Sequence, residues 1–174
     1  EQHEVCSVNP SGVTLRPVCD DDTDLLFRIF KSVNEPTFAA LEMPSEQKDD
    51  LLNMQFVAQL GQYRQQYPSA DYQVILVAGT EAGSMYTQRG PTEWVLIDIA
   101  LLPEFRDQGI GSDLVRSLIS EAHASSSQLD AHVRVDNPAW RLWQRLGFEA
   151  VYNDGVYLRI RVPGPVRHSD RDLK

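Results

Sequence analysis

Two glycines at the start of a predicted helix are the residues in this 174-residue sequence whose spacing most clearly suggests chemistry. An apolar run over Trp94–Leu102 stops at Pro103, and the pattern Arg106-x-x-Gly109-x-Gly111 then leads into an amphipathic helical pattern over Ile110–Ala122. A strand, a glycine turn and a helix start aim several backbone N–H groups at one point, where the helix dipole is positive. Glycine also lets a ligand approach the backbone closely. The stretch therefore predicts a phosphate site built from main-chain donors.

The donors of this predicted turn are backbone N–H groups, which we expect from Gln108, Gly109, Ile110, Gly111 and Ser112. Arg106 has two open roles, because its side chain could stabilise the turn or add positive charge near the phosphates. The pattern is not a P-loop, since no Gly-Lys-Ser/Thr follows, and the dinucleotide fingerprint needs a third glycine. Taken alone, a Gly-x-Gly at a helix start favours a tight turn that binds nothing.

A second segment favours the binding hypothesis. Residues Asn137 to Phe148 read Asn-Pro-Ala-Trp-Arg-Leu-Trp-Gln-Arg-Leu-Gly-Phe. Together with the glycine turn, this segment resembles the signatures of the GCN5-related N-acetyltransferase (GNAT) superfamily, in the right order and separated by one helix and one strand. The resemblance covers roughly Val74 to Arg161. It implies an acetyltransferase that uses acetyl-CoA as its co-substrate.

The resemblance also implies where acetyl-CoA would lie. The pyrophosphate would occupy the glycine turn, and the pantetheine arm would pair with the backbone of Ile99 and Leu101, where an N–H would polarise the thioester carbonyl. Asn137 would contact the pantetheine, although its role as a helix N-cap is a sufficient explanation and both can hold. Trp143 occupies the position of the family's usual tyrosine acid beside the CoA sulfur. Its indole N–H can donate a hydrogen bond but cannot act as an acid near neutral pH.

The remaining catalytic groups are predicted from acidic and phenolic side chains. Acetyl transfer needs an uncharged amine and therefore a group that takes its proton. Asp98 lies inside an apolar strand, where a charge is costly unless it is used or paired, so we predict a base or an ammonium ligand rather than a structural acid. Glu93, at the start of that strand, is a second candidate or simply a solvated strand end. Tyr152 and Tyr157, in the last predicted hairpin, are candidate acids or packing residues.

Hydrophobic periodicity and turn residues predict the order β-α-α-β-β-β-α-β-α-β-β. This order gives an α+β fold of the GNAT type, with a mixed, mostly antiparallel sheet of six to seven strands flanked by four helices. The resemblance implies that the strands before the third and fourth helices are parallel and splay apart at the acyl-CoA site. We expect the first helix to end near Asn34, because Pro36 disfavours helical geometry before it, and Asn34–Pro44 to be irregular. Ser45 is expected to cap the second helix.

Length and composition fit one domain over residues 1–162, and a tail over 163–174, with two prolines and mixed charges, is expected to be disordered. The formal net charge of −9 argues against nucleic acid and favours a cationic acceptor such as an amine. No apolar run is long enough for a membrane span, and the N-terminus lacks the pattern of a signal peptide.

Cysteine and histidine usage points to a cytoplasmic protein without a metal. Cys6 and Cys19 could be free or paired, but two cysteines make no disulfide framework. The four histidines are scattered and show no metal-ligand spacing. The oligomeric state stays open, with a homodimer as one candidate.

The leading hypothesis is direct transfer of acetyl from acetyl-CoA to a primary amine of a small molecule or peptide. No Cys, Ser or His constellation for a covalent intermediate is visible, so a ternary complex is expected. The alternative is a non-catalytic acyl-CoA-binding module. It stays open because Trp143 replaces the usual tyrosine acid, and because the apolar Val95 and Ile97 lie at positions that carry a base in some members of the family. A different acyl donor or an alcohol acceptor on the same fold is a third reading.

Overall fold

The computed structural model describes residues 12–136 and 139–165, and within them seven strands and four α-helices follow the predicted order. The strands are β1 (Val13–Pro17), β2 (Asp71–Val77), β3 (Thr80–Arg89), β4 (Glu93–Leu101), β5 (Gln128–Arg134), β6 (Glu149–Asn153) and β7 (Tyr157–Val162). The helices are α1 (Thr23–Ala39), α2 (Ser45–Gln66), α3 (Ile110–Ala124) and α4 (Trp140–Arg145). Short 3₁₀ turns cover Asp20–Asp22 and Pro103–Phe105.

The strands form one sheet in the order β1-β2-β3-β4-β5-β7-β6. The β1–β2, β2–β3, β5–β7 and β6–β7 pairs are antiparallel, whereas β4 and β5 are parallel. The predicted mixed, mostly antiparallel α+β fold is therefore confirmed, and so is the parallel orientation of the strands before α3 and α4. The parallel register joins Glu93–Leu96 to Gln128–Ala131 and stops there, although β4 itself runs on to Leu101.

The chain divides into two compact units, Glu1–Gln88 with Ile97–Gly111 and Arg89–Leu96 with Ser112–Lys174. In the first unit, apolar side chains of α1 recur about one turn apart and so form one stripe of the helix. This stripe packs on the face of the strands that carries their even-numbered residues. This core consists of Leu25, Leu26, Ile29, Phe56, Val74, Tyr86 and Leu102. Burying each such aliphatic side chain stabilises the fold by about 1.5–3 kcal/mol.

The second unit has its own core, in which α3 contributes a face at helical spacing and β5 and β7 contribute alternate residues. Its buried members include Leu114, Val115, Leu118, Ala122, Leu129, Val133 and Ile160. The prediction of a single domain over residues 1–162 stays a prediction. The predicted disordered tail is described only to Pro165, and the rest of it lies outside the described residues.

Helix α1 does not end near Asn34, so that prediction is wrong, and Pro36 lies inside the helix. A proline there removes the N–H that would bond to the carbonyl of Ser32, four residues earlier. The Arg106 guanidinium supplies the missing donor, since its Nη2 lies 3.3 Å from the Ser32 carbonyl oxygen and 2.9 Å from the Ser32 hydroxyl. The segment Asn34–Pro44 was predicted to be irregular, but its first part, up to Ala39, belongs to α1. Only the residues after Ala39 lack helical structure.

Two predicted helix caps also differ from the structure. Pro44 is the N-cap of α2 and Ser45 is its first helical residue, without a side-chain cap hydrogen bond. Helix α4 starts at Trp140 with Ala139 as its N-cap. The proposed cap Asn137 and the following Pro138 lie outside the described residues.

Candidate active site

A cavity of about 130 Å³ lies against the end of β4 in the first unit, bounded by α1, α2, β3 and β4. Eight of its thirteen lining residues are apolar, and the polar ones are Asn34, Gln59, Ser84, Tyr86 and Asp98. The even-numbered residues of β4 alternate to the face covered by α1 and α2, which is why Asp98 and Ala100 both line it. An apolar cavity with a few convergent polar groups is the usual form of a small-molecule site.

The Asp98 carboxylate has a perturbed acidity. Protein atoms surround the carboxylate, although the cavity mouth leaves part of the residue accessible. This burial raises the pKa of Asp98 to about 6, and a hydrogen bond from the Ile99 backbone N–H has a smaller, lowering effect. No described lysine or arginine forms an ion pair with it. A carboxylate with a pKa near neutrality and no permanent counter-ion is suited to binding an ammonium and taking its proton.

Tyr86 is a site residue that the sequence did not reveal. It is 4% exposed on β3 and lines the same cavity as Asp98. Burial raises the pKa of its phenol to about 12, so at neutral pH the group is a hydrogen-bond donor and not a base. In the sequence, Tyr86 looks like any other inward-facing residue of an alternating strand. The only sign of a cavity beside it is that the small residues Gly83 and Ser84 lie nearby in the sequence.

The glycine turn has the backbone that the sequence predicted. Gly109 has φ +80°, and Asp107 before it has φ +59°, so the chain enters α3 through left-handed conformations. Helix α3 starts at Ile110, and the first N–H groups of a helix have no partner within it. A Cβ on Gly109 would meet nothing within 4 Å, although the positive φ there would strain any side chain, and a Cβ on Gly111 would meet only Leu101 Cδ1 at 3.8 Å. Packing therefore does not require a glycine at position 111.

The other predicted donors belong to the same turn. Gln108 is exposed, with its side-chain amide donating to the Glu104 carbonyl at 2.7 Å, and Ser112 is a half-buried residue in the first turn of α3. These positions do not test whether the backbone N–H groups of Gln108 and Ser112 bind a phosphate, so that role stays a prediction.

Arg106 ties the end of β4 to α1. Its Nε donates to the Leu101 carbonyl oxygen at 2.8 Å, while its Nη2 bonds to Ser32. The half-buried guanidinium is therefore engaged within the unit, which favours the first of its two predicted roles, stabilising the turn. The Leu101 carbonyl, predicted to pair with pantetheine, already accepts one hydrogen bond and has its second lone pair left.

The Arg106 contact yields a testable coupling with Pro36. Arg106→Met should lower the free energy of unfolding by about 1–3 kcal/mol, because it leaves buried acceptors unpaired. In a Pro36→Ala background the backbone N–H restored at this position can bond to Ser32, so the same change should cost about 1 kcal/mol less. Urea unfolding of the four proteins measures this, and equal costs in both backgrounds would show that the two residues act independently.

Glu93 takes part in an ion-pair cluster of the second unit. Its Oε2 accepts from Gln128 at 2.9 Å and from Arg159 at 3.1 Å. Asp130, fully buried beside it, would have a raised pKa from burial, but hydrogen bonds from Arg161 and Arg159 hold that pKa below its usual range. These contacts give Glu93 a structural role and lend no support to the predicted catalytic one.

The two candidate tyrosines of the closing hairpin lie in the open. Tyr152 is 65% exposed and Tyr157 is 47% exposed. Neither hydroxyl is among the groups lining the Asp98 cavity, so their part in catalysis is without structural support.

Trp143 presents a buried donor. Its ring packs edge-to-face on Phe148, with 5.3 Å between centroids, and its buried indole nitrogen has no hydrogen-bond partner among the described residues. An unpaired buried donor costs about 1–3 kcal/mol, so a partner from outside the described residues is expected for this group.

Other expectations concern metals, membranes and thiols. In residues 12–136 and 139–165, no group of three or more His, Cys, Asp or Glu side chains is arranged to hold a metal ion. No helix among the same residues has the length and apolarity needed to cross a membrane. Cys19 is a free, exposed thiol, whereas Cys6 lies outside the described residues.

Comparison with known proteins bears on the family and the fold. The model of the acetyltransferase (GNAT) family matches residues 33–148. Among solved structures, the PaiA N-acetyltransferase from Thermoplasma acidophilum in complex with coenzyme A has a TM-score of 0.64 at 13% identity, with coverage of 87% of this chain and 98% of that one. No curated protein matches this sequence significantly.

Two further structures show the same fold. An acetyltransferase from Thermus thermophilus has a TM-score of 0.61 at 21% identity, covering 86% of this chain and 94% of that one. A structure from Corynebacterium glutamicum, named histone acetyltransferase HPA2 and related acetyltransferase, has a TM-score of 0.63 at 20% identity, covering 91% and 99%.

Proposed function

The chain belongs to the acetyltransferase (GNAT) family, and from this we propose that it is an N-acetyltransferase that moves acetyl from acetyl-CoA to a primary amine. Enzymes of this family use acetyl-CoA as co-substrate. The observation that carries the amine assignment is the Asp98 carboxylate, with a pKa of about 6 and no ion pair to a described lysine or arginine, in the cavity at the end of β4.

On the donor side, the first N–H groups of α3, with Gly109 and Gly111, hold the pyrophosphate. The β4 backbone holds the pantetheine arm. A Cβ on Gly83 would lie 2.1 Å from the Ala100 carbonyl oxygen, so that oxygen points toward β3. The carbonyls of Ile99 and Leu101 then point to the opposite edge of β4, beyond the end of the β4–β5 pairing at Leu96.

On the acceptor side, Asp98 binds the ammonium and takes one proton from it. The free amine nitrogen then forms a bond to the thioester carbonyl carbon, the C–S bond breaks, and the nitrogen releases its second proton to solvent to become a neutral amide. The pair of electrons leaves with the CoA sulfur, which takes a proton from solvent, because a thiol with a pKa of about 8.5 is mostly protonated at neutral pH. No protein acid is needed at the position of Trp143, and no acyl-enzyme forms.

Trp143 is proposed to donate its indole N–H to an acceptor atom of the pantetheine arm, which would use the unpaired donor described above. Trp143→Phe keeps an aromatic ring without the donor, and we expect it to raise KM for acetyl-CoA about tenfold, the scale of one lost hydrogen bond to a buried donor. Trp143→Tyr restores a donor and should leave turnover unchanged or higher. Steady-state kinetics with both variants measure this, and an unaltered Phe variant would assign Trp143 to packing alone.

Thiol release from acetyl-CoA in the presence of a panel of primary amines tests the proposed activity. Acetylated amine in stoichiometric yield with free CoA supports it. Tight acetyl-CoA binding without thiol release would instead support the non-catalytic acyl-CoA-binding module. We include a cytoplasmic location in the proposal, since a free, exposed Cys19 is typical of a reducing compartment.

A further inference from the structure

A second, larger cavity adjoins the Asp98 cavity within the same unit. It has a volume of about 430 Å³, and both cavities are lined by Leu26, Phe56, Leu60 and Tyr86. The smaller cavity has room for an amine terminus and a few atoms. The larger one, next to it, has room for the remainder of an acceptor molecule.

Two groups of the larger cavity can attract an anion. Arg64, in the last turn of α2, is exposed and makes no ion pair or hydrogen bond with another described residue. The Tyr72 hydroxyl is buried and also has no hydrogen-bond partner among the described residues. Burial raises the pKa of Tyr72, and the charge of Arg64 opposes that rise. Both residues line the larger cavity, which Asp20 also lines. A guanidinium and a phenol together recognise carboxylate or phosphate oxygens.

Ring packing and strand pairing place Tyr72 beside Tyr86. Its ring lies 4.9 Å, centroid to centroid, from that of Tyr86, and the two residues are direct partners in the β2–β3 ladder. Tyr86 therefore forms the wall between the cavities, with Asp98 on one side and Tyr72 on the other. Asp98 and Arg64 thus line two adjoining cavities that share Tyr86 as a wall.

We propose that the larger cavity binds an anionic group, so that the acceptor is a primary amine with a carboxylate or phosphate at its far end. This inference rests on the proposed function, which places the amine at Asp98. Asp98 and Tyr72 lie on strands separated by β3, so two strand spacings, about 10 Å, separate their positions. Three extended residues span that distance at about 3.3–3.6 Å each, whereas an α-amino acid is too short.

Triglycine and triglycine amide form a matched pair of probes, because they share the amine and differ only in the charge at the far end. Wild-type kcat/KM should be about tenfold higher for triglycine, the scale of a charge-assisted hydrogen bond at a partly exposed site. Arg64→Gln should remove that preference by lowering kcat/KM for triglycine alone. Tyr72→Phe, which keeps the ring, should lower it severalfold. Arg28→Gln changes an exposed arginine of α1 that lines neither cavity and serves as control.

Calorimetry of both peptides without acetyl-CoA separates this inference from the proposed function. Acetylation of both peptides with equal kcat/KM would overturn the anion subsite and leave acetyl transfer standing. A tenfold binding preference for triglycine that Arg64→Gln abolishes, without any acetylation, would support the subsite and contradict the transfer. Equal binding of the two peptides, or binding of neither, would overturn the subsite.

Discussion

Asp98→Asn is expected to lower kcat/KM for acetyl transfer by about a hundredfold or more, the usual scale of lost general acid–base help. The amide keeps the shape of the side chain but can neither attract the ammonium nor take its proton. The dissociation constant of acetyl-CoA should be nearly unchanged, since the proposed donor contacts come from the glycine turn and the β4 backbone. Steady-state kinetics and calorimetry on the same preparation measure both quantities.

Stability provides the control for this variant. The pKa of Asp98 is raised in the folded protein, so between about 4 and 6 the unfolded chain holds fewer protons and stability falls as pH rises. At neutral pH the ionised carboxylate is therefore a destabilising group, and Asp98→Asn should unfold at an equal or higher urea concentration. Asp50→Asn, on the exposed surface of α2, should leave kinetics unaltered. A less stable Asn variant would assign Asp98 to the structure.

Gly111→Val is expected to weaken acetyl-CoA binding by about tenfold to a hundredfold, the loss of one or two charge-assisted hydrogen bonds to phosphate. The fold should tolerate the change, because a Cβ at Gly111 meets only Leu101 Cδ1, at 3.8 Å, and its φ is not positive. The same substitution at Gly109 would add backbone strain at φ +80° and is less informative.

Gly61→Val is the matched control for Gly111→Val. Gly61 lies in α2, and a Cβ there meets nothing within 4 Å. Both variants should remain folded by circular dichroism, and only the Gly111 variant should lose affinity in calorimetry. Unchanged affinity in a folded Gly111→Val protein would remove the phosphate role from this turn.

Features that depend on neighbouring residues could be predicted from the sequence. The order of strands and helices, the parallel β4–β5 pair and the glycine turn before α3 all follow from local periodicity, turn residues and a resemblance in two short segments. The turn even has the positive φ at Gly109 that such a motif needs. The element order and the turn are fixed by residues within a few positions, whereas the parallel pair joins Glu93–Leu96 to Gln128–Ala131 and was implied by the resemblance.

Features that depend on distant partners could not be predicted. Pro36 looks like a helix end until Arg106, 74 residues beyond Ser32, donates to the carbonyl that the proline leaves free. Glu93 looks like a free carboxylate until Arg159 pairs with it. An alternating strand cannot tell a core tyrosine from a site tyrosine, which is why Tyr86 was missed. Asp98 was identified because a lone charge in an apolar strand is a local signal.

The pH dependence of kcat/KM, with triglycine or another accepted α-amine, tests the role of Asp98 most directly. For the wild type, in which ionised Asp98 binds the ammonium form of the acceptor, we predict a bell-shaped profile. It rises at an apparent pKa of about 6 from the Asp98 carboxylate and falls at about 8, where the free amine loses its proton. Asp98→Asn cannot take the proton and must use free amine, so its profile should show only a rising limb near 8. Profiles of the same shape for both proteins would contradict the assignment of Asp98 as the base.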